Sequence, residues 1–253
     1  MNVSARMPGF DEKPFPPAFR ETLTEEDLQK NSTLQSFNRI EGQLKTLTEH
    51  RSEIDVILDI GCGRGGFAAA LANHLNASEV YGIDTDSSER ERAEERGVAT
   101  YNVDIQTEEL PFEDGSIDLI VSFGLLEHLP YYTNFFEETV RVLNSGWFWV
   151  ASPNLASWIN RIALLFGYQP RNVEISQNRA VGSLPVYDRD RFLNHVSAPT
   201  YRALLDLLKY HGFDPIQSVP LSPYQRSMLD RTLDRIFCLR VGLARRVAIL
   251  SRR

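Results

Sequence analysis

The sequence predicts an α/β fold built on a largely parallel sheet, and three observations carry that expectation. Short β-rich runs alternate with helical stretches between residues 55 and 152. One apolar run ends in closely spaced glycines that open a helix, and acidic residues recur at the ends of successive runs. Alternation of this kind implies parallel strands joined by right-handed helical crossovers.

Taken in order, the β-branched run 55–60 is a first buried strand, and the Ala- and Leu-rich 66–75 is its crossover helix. Residues 79–84 form a second strand, 87–96 a polar helix and 98–104 a third strand. A fourth strand over 117–123, a helix over 132–143 and a fifth strand over 147–152 follow. The alternation then breaks from 153 to 199, an interruption long enough to imply a functional insertion. A helix over 200–211 resumes it, and strands 213–221 and 246–251, separated by a segment of helical character, suit a hairpin-like pair closing the sheet.

Four prolines and no sustained period mark residues 1–18 as an irregular arm. Residues 19–253 are read as one domain, with a helical N-terminal flank at 19–51 and a lid-like substrate-side insertion at 153–199. The flank suggests two helices, and Thr24-Glu25-Glu26-Asp27 has the pattern of a helix start.

The chain of 253 residues has 42% hydrophobic and 24% charged residues, which suits a globular enzyme-sized core. A formal net charge of -7 argues against nucleic acid as a partner, because phosphate-backbone affinity needs clustered Lys and Arg. Arg240, Arg245, Arg246, Arg252 and Arg253 bias the C-terminal region towards positive charge and are read as solvated. Cys62 and Cys238 fit neither a disulfide framework nor a zinc spacing, and no metal is expected. There is no signal-peptide pattern and no apolar run near the ~20 residues that span a bilayer, so a cytoplasmic location is expected. Leu155, Trp158, Ile159, Ile162, Leu165 and Phe166 form an apolar stripe interrupted by Arg161. It is read as a lid packed on the core, with a shallow dock at the inner face of a membrane as the alternative.

The chemistry concentrates where Val56-Ile57-Leu58-Asp59-Ile60 runs into Gly61-Cys62-Gly63-Arg64-Gly65-Gly66. Glycines there let a ligand approach the backbone, and the following helix presents free amide groups. Dinucleotide sites use a related turn with G-x-G-x-x-G spacing. Here Gly61, Gly63 and Gly65 alternate, and Asp59 stands two residues before the first. A carboxylate at that place repels a pyrophosphate and attracts a cation.

The stretch resembles motif I of the class I S-adenosylmethionine-dependent methyltransferases, in the L-D-x-G-C-G-x-G form of the small-molecule, type 11-like branch. The resemblance implies a Rossmann-like, doubly wound seven-stranded sheet with the last strand antiparallel. It also implies S-adenosylmethionine as cofactor, around Asp59, Gly61, Cys62, Gly63 and Gly65. Val80-Tyr81-Gly82-Ile83-Asp84 is similar to the family's second strand, which maps ribose recognition onto Asp84. Asn102-Val103-Asp104-Ile105 is similar to the third-strand end, mapping adenine recognition onto Asp104 and Ile105, and Phe123 at the end of the fourth strand is expected as a further cofactor contact. Glu127-His128-Leu129 and Arg141-Val142-Leu143 match further signatures, so the likeness covers roughly residues 50–153. Where relatives carry a Gly-Gly turn, this chain has Asn144-Ser145-Gly146-Trp147.

Plainer readings stand beside these. Asp84 or Asp86 could cap the next helix, Asp104 could serve a turn, and Cys62 could pack as a small residue. His128 is either a base towards a substrate hydroxyl or, with Glu127, a structural closure of the loop. Arg171, Arg179, Tyr187, Arg189, Arg191 and His195 either contact an acidic or sugar-like substrate or are solvated. The segment from Ser152 to Pro170 is loosely similar to insertions in methyltransferases of cell-envelope sugar pathways. The expected reaction is O-methylation of a small molecule or a sugar- or lipid-linked intermediate. The alternatives are a non-catalytic binder of the same cofactor and a nicotinamide-dependent oxidoreductase.

Overall fold

The computed structural model describes residues 16–30, 36–185, 193–222 and 228–253. Residues 1–15 of the expected arm, and Tyr187, Arg189 and Arg191 of the insertion, lie outside the described residues.

Three helices, α1 (Pro17–Thr22), α2 (Glu25–Lys30) and α3 (Phe37–Glu49), precede the sheet. Then follow β1 (Val56–Ile60), α4 (Gly66–Leu75), β2 (Glu79–Ile83), α5 (Ser87–Glu94), β3 (Ala99–Tyr101) and β4 (Ile117–Phe123). The second half holds α6 (Thr133–Val142), β5 (Leu143–Pro153), α7 (Trp158–Leu165) and α8 (Tyr201–Tyr210). It ends with β6 (Asp214–Leu221), α9 (Met228–Phe237) and β7 (Arg246–Arg252). The seven strands lie in the order β3-β2-β1-β4-β5-β7-β6. Strands β1 to β5 pair in parallel, and β7 pairs antiparallel with both β5 and β6. The expected closing pair is therefore present, with β6 at the edge and β7 inside it.

Period-2 alternation divides the core into two layers. On one face Ile57, Leu119, Trp149, Ala248 and Leu250 meet α1, α3 and α4. On the other, Leu58, Ile60, Phe148, Val150 and Ile249 meet α6 and α8. Strands buried on both faces read as continuous apolar runs, which is why they were legible in the sequence.

The flank differs from expectation: it holds three helices, and the first starts at Pro17, inside the expected arm. Pro17 suits the first helical position, where an N–H has no helical partner. Phe19 is fully buried, its ring 5.9 Å from Phe67 and 5.7 Å from His74. The Thr24 start is a reciprocal cap: Thr24 N donates to Asp27 Oδ2 at 2.7 Å, and Asp27 N to Thr24 Oγ1 at 3.3 Å. Asp27 also pairs with Arg96 at 2.9 Å, tying α2 to the end of α5. On α3, fully buried Gln43 donates to the carbonyls of Gln217 (3.0 Å) and Ala248 (3.1 Å) and accepts from Trp149 Nε1 at 2.8 Å.

Two strands differ in length from expectation. β3 is short because the chain turns out of the sheet after Tyr101, and a turn over 104–108 is closed by Thr107 N and Glu108 N donating to the Asp104 carbonyl. β5 starts at Leu143, with a register shift opposite β4 between Ile117 and Leu119 that takes up Asn144-Ser145-Gly146. A Cβ on Gly146 would lie 2.1 Å from the carbonyl oxygen of Asp118, so close strand approach requires a glycine there.

The insertion stripe is covered only in part. Of the stripe, Trp158 is buried, whereas Ile162, Leu165 and Phe166 are exposed, as is neighbouring Leu164. No helix among the described residues is long and apolar enough to cross a membrane.

Replacing Gln43 by Leu would leave Trp149 Nε1 and two strand carbonyls without that partner. We expect Gln43→Leu to lower unfolding free energy by about 1–3 kcal/mol in urea titrations, the usual cost of an unpaired buried polar group. Unchanged stability would remove Gln43 as the clamp between α3 and the sheet.

Candidate functional site

From β1 the chain proceeds to β2 and β3 on one side, then returns to place β4 on the other. Helical connections diverge at such a reversal and leave a crevice at the carboxyl ends of the strands. The glycine loop fills the floor of that crevice. Gly61 N and Cys62 N both donate to the Ile83 carbonyl, at 2.8 and 3.0 Å, so the loop folds over the end of β2. Gly65 is the residue before α4, with φ +68°, and a Cβ there would lie 2.8 Å from Ala93 Cβ. A side chain at 65 would thus force α4 and α5 apart.

Asp84 closes the loop from the next strand. Its Oδ2 accepts from Gly63 N at 2.9 Å and its Oδ1 from Asp86 N at 2.9 Å. The cap of α5 is Asp86, whose Oδ1 accepts from Ser88 N (2.8 Å) and Glu89 N (3.3 Å). Arg64 points away from the crevice and pairs with Glu26 and, at 2.9 Å, with Glu89, so α2 braces the loop from outside.

A cavity of about 250 Å³ opens at the crevice, and its lining includes Gly61, Asp84, Asp104, Ile105, His128 and Asn194. Five of the ten residues singled out in the sequence thus face one space. Asp59, Cys62, Gly63 and Gly65 form the turn without lining the cavity. Phe123 does not line it either: its ring packs 4.8 Å from Phe67 and 5.1 Å from Trp149, in the core layer under α4. Asp104 Oδ1 accepts from Gln106 N at 3.0 Å, so it serves a turn while lining the cavity.

The electrostatics are set by crowded carboxylates. Burial, with the Asp84 charge adding to it, pushes Asp59 up to about 7 from an ordinary 3.8. Burial and the same two carboxylates raise the Cys62 thiol far above its usual range, so Cys62 is a packing residue and not a nucleophile.

The wall opposite the loop contains a cluster that the sequence reading missed. Arg246 Nη1 donates to Glu127 Oε1 at 2.8 Å with both side chains buried, and His195 Nε2 lies 4.0 Å from the same oxygen. Burial opposes ionisation of Glu127, but Arg246 and His195 hold it below its ordinary value. Burial drives His195 down to about 4, so it is a neutral imidazole at physiological pH. Residues 193–197 pack along the Glu127-His128-Leu129 turn: Val196 N donates to the Glu127 carbonyl at 2.9 Å, and Ser197 Oγ to the Leu129 carbonyl at 2.6 Å. The Nδ1 of His128 is 2.9 Å from the Asn194 carbonyl, which fixes that nitrogen as the N–H and leaves Nε2 as the acceptor.

Glu127, His128 and His195 bring three donor atoms within 4.8 Å of one another. A guanidinium already on the Glu127 carboxylate makes this an ion pair flanked by imidazoles, a poor cradle for a divalent cation. Nothing local in the sequence pairs Arg246 with Glu127, 119 positions away; only the sheet order does so. Of the insertion residues, Arg179 is exposed and neither it nor His195 lines the cavity. Arg141 of the Arg-Val-Leu signature is structural, donating to the Leu110 and Phe112 carbonyls at 2.8 Å each.

Because folding raises the Asp59 pKa, the folded chain binds an extra proton between the unfolded and folded values. Stability is then greatest at low pH and declines as pH rises from about 4 to about 7 through this group. Asp59→Asn should flatten that decline, so the variant should gain more urea resistance over the parent at pH 8 than at pH 5. Equal gains at both pH values would show that Asp59 is already ionised in the fold.

Comparison with known proteins agrees with this layout. Residues 58–150 match the model of a methyltransferase-domain family. Chloroplastic tocopherol O-methyltransferase of Arabidopsis thaliana is 34% identical over 104 residues, 39% of this chain and 30% of that protein. The phthiotriol/phenolphthiotriol dimycocerosates methyltransferase of Mycobacterium tuberculosis is 26% identical over 181 residues, 66% of this chain and 63% of that protein. The chain thus spans between about a third and just under two thirds of these relatives. Among solved structures, an S-adenosylmethionine-dependent methyltransferase of Mesorhizobium loti aligns with a TM-score of 0.56 at 16% identity, covering 89% of this chain and 100% of that one. Residues 58–150, which hold the glycine loop and most of β1 to β5, thus match a methyltransferase-domain family, and the chain shares its fold with that solved structure.

Proposed function

We propose that this protein binds S-adenosylmethionine in the crevice beside β1 and transfers its methyl group to an oxygen of a small, lipid-soluble or lipid-linked acceptor. One observation carries the reading. The cavity is lined by Asp84 and Asp104 beside a glycine turn, and no Lys or Arg is among its described lining residues. That charge suits a cationic ligand and opposes a pyrophosphate, which disfavours the nicotinamide alternative.

The bound cofactor would supply a methyl group on a cationic sulfonium, which a substrate oxygen displaces to leave a neutral thioether. Everything else falls to side chains. Asp84, at the end of β2, would accept the ribose hydroxyls while still holding Gly63. Ile105 offers an apolar wall and Asp104 an acceptor for the adenine amino group. Asp59, half-protonated near pH 7 in the free protein, would ionise when a cation is seated nearby. His128 Nε2 would take the proton that the acceptor hydroxyl loses as its C–O bond forms. The Asn194 carbonyl holds that ring in the required tautomer. Catalysis would then rest on alignment and exclusion of water more than on covalent work by the protein.

The relatives named for tocopherol and for phthiotriol dimycocerosates support an acceptor with long hydrocarbon parts, and the first of them supports oxygen as the acceptor atom.

Asp84→Ala should weaken S-adenosylmethionine binding in calorimetry by at least ~1.5 kcal/mol, the scale of a hydrogen bond to a charged group; unchanged affinity would remove Asp84 from the site. Incubating cell extract with purified protein and methyl-labelled cofactor should place label in the lipid-extractable fraction. His128→Ala should slow that labelling by about 100-fold or more at unchanged cofactor affinity. Label confined to protein or RNA would overturn the acceptor class, and a fully active His128→Ala would overturn the base.

A further inference from the structure

A second feature lies on the same side of the sheet as the cavity. Segment 154–199 leaves from the end of β5, and segment 222–245 runs from the end of β6 to the start of β7. Pro153 and Leu221 both pair with Arg246, so all three chain ends sit at one edge of the sheet. That edge is also where Arg246 reaches Glu127, beside His128.

The two segments carry α7 and α9, which pack together. The Trp158 and Phe237 rings stack 5.2 Å apart at 14°, and Trp158 Nε1 donates to buried Asp234 at 2.7 Å. Away from that contact both helices expose large apolar side chains. On α7 and just beyond it, Leu164, Leu165 and Phe166 are 59%, 79% and 69% exposed. On α9 and just beyond it, Met228, Ile236 and Leu239 are 82%, 55% and 85% exposed. Leaving several large apolar side chains in water on adjoining elements is costly and marks a surface that meets something.

Charge identifies what it meets. α7 contains no acidic residue. Both acids of α9 turn inward to one guanidinium, Arg245, which contacts Asp230 at 3.0 Å and Asp234 at 2.9 Å. Among the described residues, the exposed charges that remain on and beside these helices are Arg161, Arg235 and Arg240. On a chain of net charge -7, this apolar surface is therefore flanked among the described residues by positive charge. A second copy would bring arginines against arginines with no acid to pair them. An interface of anionic headgroups over acyl chains satisfies both properties at once.

We propose that the α7–α9 surface docks the protein on an anionic lipid bilayer, with the exposed apolar side chains entering the headgroup region and the arginines meeting lipid phosphates. This rests on and deepens the reading of a lipid-soluble acceptor, because Arg245, which holds α9, directly precedes Arg246, which reaches Glu127 beside the cavity-lining His128. The surface itself does not depend on which cofactor binds.

The test is flotation of the full-length protein with vesicles of phosphatidylcholine alone or with phosphatidylglycerol added, alongside calorimetry with S-adenosylmethionine. We expect binding to the anionic vesicles that weakens with salt, and weak or no binding to the neutral ones. Leu165→Glu combined with Phe166→Glu should weaken it at least ~10-fold. Each of Arg161→Gln, Arg235→Gln and Arg240→Gln should weaken it about fivefold. All these side chains are exposed, so circular dichroism and cofactor affinity should match the parent. Docking is overturned if the parent ignores anionic vesicles, if the double variant floats like the parent, or if sedimentation shows a dimer that the double variant dissolves. Vesicle binding without cofactor affinity would sink the methyltransferase reading and leave docking standing; the reverse result would do the opposite.

Discussion

The reversal of strand order beside β1 is the constraint on which the rest depends. Because β2 and β4 flank β1 while their connections leave in opposite directions, a crevice opens at the carboxyl end of β1. The chain fills that gap with backbone, folding the glycine loop over the Ile83 carbonyl and holding it from the side with the Asp84 carboxylate. Close approach of α5 to Gly65 keeps the turn tight. The crevice is thus a product of topology, and the loop is its fitted floor.

Its electrostatic character follows from burial. Two carboxylates at neighbouring strand ends, one of them inaccessible to water, cannot both ionise cheaply, and Asp59 carries the cost. Negative potential in a crevice with no lysine or arginine among its described lining residues is a preorganised response to positive charge. The far wall has the opposite design. There a guanidinium neutralises Glu127, two imidazoles stand beside the pair, and the chain returning from the insertion zips onto the turn that carries His128. One wall is poised to receive a cation, while the other is already neutral and keeps a ring nitrogen in place.

Elements outside the common sheet are tied to this centre. α2 reaches the loop through Glu26 and Arg64, and α3 reaches the far edge of the sheet through Gln43. The insertion supplies Asn194 to the cavity and α7 to the outer surface. The flank therefore braces the loop and the sheet from outside, whereas the insertion reaches the cavity itself.

Much of this was legible beforehand, for a physical reason. Strands buried on both faces must be apolar throughout, a tight strand-to-helix turn needs glycine, and a carboxylate at a strand end stands out against an apolar run. Local chemistry therefore determined β1, α4, β4, the glycine loop and the positions of Asp84, Asp104 and His128. Phe123 shows the limit: lying at the end of β4 says nothing about face, and only the pleat decided that its ring joins Phe67 and Trp149. The pairing of Arg246 with Glu127, the neutral state of His195 and the uncovered half of the α7 stripe were likewise decided in three dimensions. Each depends on which distant segments the sheet order brings together, and on how much water is left between them.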